Sequence, residues 1–376
     1  MTSIGGAEMV DWNLAVATAT RLVRPGPEVT RDEAREIVAE LRRHAKASEE
    51  HVRAYTRMIP DGHEPPDTPV LVVDRAGWVK ANVAGFRELL KPLFDKMLER
   101  RSATPGGAVL GAVGGKVTGV ELGMLLSFMA SRVLGQYETF APATRDLPAG
   151  EQSAGRLLLV APNIVHVERE LDVDPHDFRL WVALHEETHR TQFTGVPWLR
   201  DHLQDEIQSF LDETEVDPMT VLERLREAAQ SLSGGRPEGE EDEHGRSIVE
   251  LVQTPGQREI LGRLTAVMSL LEGHADYVMD GVGPDVVASV AEIREKFQQR
   301  RARGASRLDQ ALRKLLGLDA KLRQYRDGER FVRAVVEEVG MAGFNRVWTS
   351  PNTLPTKAEI AKPADWVARV HRRTDP

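Results

Sequence analysis

The chain has 376 residues, of which 41% are hydrophobic and 28% charged, with a formal net charge of -9 and no cysteine. Disulfides, thiolate metal sites and cysteine nucleophiles are therefore excluded, and any metal must be held by histidine and carboxylate. The negative balance and the scatter of basic residues along helices argue against a nucleic-acid partner.

The first residues, Met-Thr-Ser-Ile-Gly-Gly-Ala-Glu, lack a basic start and an apolar h-region, which predicts a cytoplasmic location. From Asp11 to about Met58 the sequence reads as two helices separated by Arg24-Pro25-Gly26-Pro27. Thr30 followed by Glu33 predicts a capping box at the start of the second. A linker rich in Pro and Asp runs from Pro60 to Pro69, and Trp78, Val79, Val83, Phe86, Leu90 and Phe94 recur at helical spacing over 75–98. In 106–135, Gly107, Gly111, Gly115, Gly119 and Gly123 recur every fourth residue. Lys116 and Glu121 interrupt the ~20 apolar residues that a membrane span needs, so no stable span is expected. Each mid-helix glycine costs about 1 kcal/mol against alanine. A close helix contact is the expected compensation, and the helix is predicted to lie in the core.

Residues 156–160, Arg-Leu-Leu-Leu-Val, form the best strand candidate and a candidate edge for pairing with an extended substrate. Pro162 to Leu171 reads as a short helix, followed by a longer one with Asp174 as N-cap, Pro175 in the first turn and Asp177 at the positive end of the dipole. Phe178, Trp181, Val182 and Leu184 would bury it, and Gly195 with Pro197 would end it. Helices are expected over 198–211, 218–232, 257–280, 284–303, 305–316 and 319–338, a mobile acidic loop over 234–245, and a loop over 347–355 before short helical pieces around Pro363. The fold class is mainly α with at most a small β element. Residues 1–150 are read as an N-terminal helical layer containing the Gly-rich core helix, and 151–376 as the catalytic part, in one continuous compact unit.

The helix beginning at Pro175 carries one H-E-x-x-H motif, with His185, Glu186 and His189. Residues four apart on a helix share one face, so both imidazoles can reach a single ion, and Glu186 can act as base on a metal-activated water. A catalytic zinc site needs a third protein ligand. The stretch Leu271-Glu272-Gly273-His274-Ala275-Asp276-Tyr277 begins its acids at Glu272, which is 272 minus 189, or 83, residues beyond the motif. Glu272 and Asp276 share one face, so if Glu272 ligates the ion Asp276 can accept a hydrogen bond from a ligand imidazole. His274 is the alternative third ligand and points about 200° away around the helix axis. The acid at Asp276 favours Glu272, which leaves His274 and Tyr277 to contact substrate or a developing oxyanion. His44, His51, His63, His166, His176, His202, His244 and His371 read as surface or capping residues.

H-E-x-x-H followed downstream by E-x-x-x-D resembles the gluzincin metallopeptidases, matched here by His185, Glu186, His189, Glu272 and Asp276. More closely, Leu-His-Glu-Glu-Thr-His-Arg-Thr-Gln-Phe, Leu-Glu-Gly-His-Ala-Asp and Phe-Asn-Arg-Val-Trp-Thr-Ser-Pro resemble a bacterial family of zincin-like hydrolases. Its members are labelled zinc-dependent metalloproteases or associated with deazaflavin coenzyme biosynthesis. The resemblance implies a mainly helical zincin-like fold. The expected function is a hydrolase with one zinc ion, acting on a peptide or small amide. The alternative is a non-catalytic helical scaffold or accessory protein with a structural zinc.

Overall fold

The computed structural model describes residues 10–59, 63, 66, 68–102, 107–140, 155–213, 254–302 and 318–371. The helices expected over 218–232 and 305–316 and the acidic loop at 234–245 lie outside the described residues. By its internal contacts the chain divides into one unit of Met1–Pro197 with His274–Gly304, and a second of Trp198–Gly273 with Ala305–Pro376. The described residues are mainly helical, with one three-stranded sheet, and none of their helices is long and apolar enough to cross a membrane.

The first unit opens with α1 (Trp12–Leu22), started by the Asp11 side chain accepting from Leu14 N. It continues into α2 (Arg31–Thr56), whose Thr30 and Glu33 form the expected capping box. Next come β1 (Val70–Val73), α3 (Arg75–Ser102) and α4 (Gly107–Ala130). On α4, a Cβ at Gly119 would lie 2.6 Å from Asp11 O, and one at Gly123 2.7 Å from Ala15 O. Only glycine permits that approach to α1. The expected close contact is present, but the described side chains of α4, from Val117 on, are not all enclosed in the core as the composition suggests. Leu126 and Ala130 are buried while Val117, Val120 and Met124 are exposed, because the contact with α1 covers only one side of the helix.

After α4 the chain forms β2 (Gly135–Glu138) and then β3 (Arg156–Val160). β3 lies in the middle of the sheet, parallel to β1 and antiparallel to β2. The sequence reading of 156–160 as a substrate-pairing edge is therefore corrected: both sides of β3 are already paired, and β2 is an edge. The side chains of β3 from Leu157 to Val160 are all fully buried, which suits a central strand. A buried polar network fixes the entry to β2. Asn163 Nδ2 donates to the carbonyls of Ala130 at 2.8 Å and Val133 at 2.7 Å, and Arg75 Nε donates to Asn163 Oδ1 at 2.6 Å.

From β3 the chain enters α5 (Ala161–Leu171) and α6 (Pro175–Gly195). Asp174 caps α6 by accepting from Asp177 N at 2.9 Å. Phe178, Trp181, Val182 and Leu184 are buried as the sequence requires. Trp181 meets the ring of Phe297 edge to face, on α9 (Val290–Ala302). His44 departs from the surface role expected of it: it is 6% exposed on α2, and burial followed by the neighbouring His176 holds its pKa below the ordinary histidine value.

The second unit contains α7 (Leu199–Asp212), most of α8 (Pro255–Gly281), α10 (Leu318–Phe344) and the short α11 (Lys357–Ala361) and α12 (Pro363–His371). Here α8 and α10 cross at Gly273 and Gly328. A Cβ on Gly273 would lie 2.1 Å from the Gly328 carbonyl carbon, and one on Gly328 would lie 1.9 Å from Ser269 O. This crossing pins the turn of α8 that carries Glu272.

Candidate metal centre

The site is built from α6 and α8. On α6, His185 and His189 stand one turn apart with ring planes at 88° and their Nε2 atoms 3.3 Å from each other. The Nδ1 atoms face away from this gap. His189 Nδ1 donates to Gln192 Oε1 at 2.9 Å. His185 Nδ1 lies 3.5 Å from Asp276 Oδ1 and 3.2 Å from Met279 Sδ. With protons on both Nδ1 atoms, the two Nε2 atoms face each other across 3.3 Å, an arrangement satisfied either by a proton on one of them, as in an N–H···N hydrogen bond, or by a cation between them. Two nitrogens on one tetrahedral zinc, bonded at about 2.0–2.1 Å, sit about 3.3 Å apart.

The division between the units falls inside α8, after Gly273. The unbroken helix nevertheless carries Glu272 in register with His274 and Asp276. His185, His189 and Glu272 offer ligand atoms that all lie within 4.8 Å of one another, and each of the three residues is partly exposed. Two imidazoles and one carboxylate are the donor set of a catalytic zinc site with room for a further ligand.

Glu186 is buried, 6% exposed. It lies against the first residue of β2: a Cβ on Gly135 would fall 2.5 Å from Glu186 Cγ, 2.6 Å from Cδ and 2.7 Å from Oε1. The strand thus leaves a notch that the glutamate occupies. The second glutamate of the motif, Glu187, faces elsewhere. Arg190 Nε donates to it at 2.9 Å, and Arg190 also pairs with Glu49 on α2 at 2.7 Å. Burial, opposed by Arg190, pushes Glu187 up to about 7.

His274 is fully buried, and its Nδ1 accepts from Gln192 Nε2 at 3.0 Å. Burial, with a smaller contribution from His189, pushes it down to about 3, so the ring is neutral. His189, Gln192 and His274 therefore form a chain of hydrogen bonds leading inward from the pair of imidazoles. Tyr277 is partly exposed, and its ring is 6.1 Å from that of Tyr55. Gln192 is the residue the sequence reading missed. It lies three positions after His189, a spacing at which side chains on a helix meet.

The zincin-like metallopeptidase family matches residues 10–367. The chain belongs to this family. Membership implies a zinc cofactor, which the donor set of this zincin-like protein fits. A crystal structure from Chloroflexus aurantiacus, described as a candidate hydrolase with a novel fold, is 31% identical with a TM-score of 0.67. The match covers 98% of this zincin-like chain and 100% of that one. Among proteins with curated functions none matches.

Proposed function

We propose that this protein is a zinc-dependent amide hydrolase acting on peptides or small amides, with one zinc held at this centre by His185, His189 and Glu272. Zinc in such a site polarises a substrate carbonyl and acidifies water. The observation that carries the reading is the pair of Nε2 atoms 3.3 Å apart, with Glu272 close by and Glu186 buried alongside in its notch.

Glu186 is the base that takes a proton from the attacking water and delivers it to the leaving amine. Its buried setting beside Gly135 holds the carboxylate in one place, which suits a proton carrier. Asp276 orients His185 through Nδ1, and Gln192 does the same for His189. His274 is fully buried and bonded to Gln192, so in this reading it positions His189 through the amide and does not touch substrate. Tyr277, the partly exposed member of the pair, is the donor to the developing oxyanion. Among the described residues β2 pairs only with β3, and its other edge is where an extended substrate would align.

Glu186→Gln tests the mechanism. The variant should keep zinc at this centre and lose hydrolysis of a fluorogenic peptide library that the wild type cleaves, whereas His189→Ala should lose both. Wild-type turnover in Glu186→Gln would remove the glutamate from the mechanism. A wild-type protein that binds no zinc at the His185 and His189 pair would end the proposal.

A further inference from the structure

We infer that Glu40, His44 and His176 form a second divalent-cation site, independent of the first, that clips α2 to the first turn of α6. The three residues offer ligand atoms that all lie within 4.8 Å of one another. Glu40 and His44 are four residues apart on α2 and so share a face, and His176 comes from α6. The plan repeats that of the first centre, with an i, i+4 pair on one helix and a third donor from another.

One separation already matches a metal, and the other is a hydrogen-bond distance that a small opening would bring into range. Glu40 Oε1 is 3.0 Å from His176 Nδ1 and 3.4 Å from His44 Nε2. Donors on a tetrahedral zinc, at bonds of about 2.0–2.2 Å, are spaced about 3.3–3.5 Å apart. The two imidazoles meet edge to face, with centroids 4.6 Å apart.

His44 supplies the second, independent observation. The residue is 6% exposed, and its Nε2 is a buried nitrogen with no hydrogen bond of acceptable geometry. It is aimed at an oxygen that His176 Nδ1 already contacts. A buried ring nitrogen left so is costly, and a cation between it and Glu40 would satisfy both. His176, with a side chain 65% exposed, leaves an approach from solvent.

The carboxylate is prepared for one-oxygen ligation. Its other oxygen, Oε2, is held by Arg179, which also pairs with the buried Glu168 at 2.5 Å. Glu40 therefore presents Oε1 alone to the histidines, in a fixed orientation. The guanidinium is itself balanced by two carboxylates, so Glu40, Glu168 and Arg179 together carry one net negative charge. Two imidazoles with one carboxylate suit zinc or cobalt in preference to magnesium or calcium, which take oxygen ligands.

The test uses the full-length chain loaded with Zn2+ and freed of excess, with metal counted by mass spectrometry of the digested protein. Wild type should retain about two equivalents, His189→Ala about one, His176→Ala about one, and the double variant close to none. The exposed side chain of His176 makes His176→Ala the variant of choice, and its circular dichroism reports whether the fold is kept. In the His189→Ala background, Zn2+ should raise the melting temperature by several degrees, and this rise should vanish in the double variant. His176→Ala should retain peptide hydrolysis, which separates this site from the first. A wild type and His176→Ala that both hold one equivalent, or a His189→Ala protein that holds none, would show that the histidines only hydrogen-bond to Glu40 and would overturn the inference.

Discussion

Gly135→Ala probes the notch that holds Glu186. The added Cβ would sit 2.5 Å from Glu186 Cγ and 2.6 Å from Cδ, whereas carbon atoms rest about 3.5–4.0 Å apart. Something must move by about 1 Å. The strand resists, because β2 is paired with β3, Val160 N donates to Leu134 O at 2.8 Å, and Asn163 grips the carbonyls of Ala130 and Val133. The displacement therefore falls on the glutamate side chain, and a misplacement of about 1 Å in a reacting group costs about 100-fold in rate. The three atoms nearest the new methyl all belong to Glu186, so the displacement falls first on the glutamate and zinc content should stay at the wild-type value. The assay is steady-state hydrolysis of a fluorogenic peptide, with zinc analysis and a thermal melt on the same preparation. Turnover within about threefold of wild type would refute the assignment of Glu186 as the displaced group, and so would zinc loss in step with activity.

Other perturbations read different parts of the site. Gln192→Ala removes the acceptor on His189 Nδ1 and should weaken zinc binding about 10–100-fold, measured by competition with a chromophoric chelator. Gly328→Ala drives a methyl into Ser269 O on α8 and should destabilise the protein by about 1–3 kcal/mol in urea unfolding, overpacking that a smaller residue cannot relieve. His274 has its folded pKa depressed to about 3 from 6.5, so below pH 6.5 the unfolded chain binds a proton that the folded chain refuses. Metal-free protein should lose stability as pH falls from 6.5 towards 3, and His274→Gln should flatten that slope. Glu187 has the opposite sign: with its folded pKa raised to about 7 from 4.5, it contributes stability below 4.5 that is lost as pH rises through 7. Glu187→Gln should remove that loss in the same unfolding series.

Much of the site could be read from local spacing. The imidazole pair, the capping of α6 by Asp174 and the shared face of Glu272 and Asp276 all follow from helix geometry within a few residues. What escaped depends on partners far away in the chain. β2 is only Gly-Gln-Tyr-Glu, with no alternating apolar pattern, and exists because β3 pairs with it in the register Gly135 to Leu159. The order of three strands is likewise invisible in any one of them, which is why 156–160 could be mistaken for an edge. The glycines of α4 announced a close contact correctly at Gly119 and Gly123, but the same spacing says nothing about what covers the other side, where Val117 and Met124 meet solvent. His44 was hidden for a similar reason, since its burial comes from α6 packing on α2.

The two histidine and glutamate clusters differ in what surrounds the donors, and this decides which chemistry each supports. Beside His185 and His189 stands Glu186, a further carboxylate lodged in the space left by the missing side chain at Gly135. Beside Glu40, the neighbouring charged groups are consumed: Arg179 bonds both Glu40 and Glu168, leaving neither carboxylate to serve as a base. A cation at the first cluster would meet water next to a proton carrier, while one at the second would meet only donors already committed to α2 and α6. On the proposed reading, hydrolysis belongs to the first environment and cross-linking to the second, even though the ligand types are the same. The H-E-x-x-H spacing alone therefore carries less of the function than the glutamate beside it and the glycine that makes room for that glutamate.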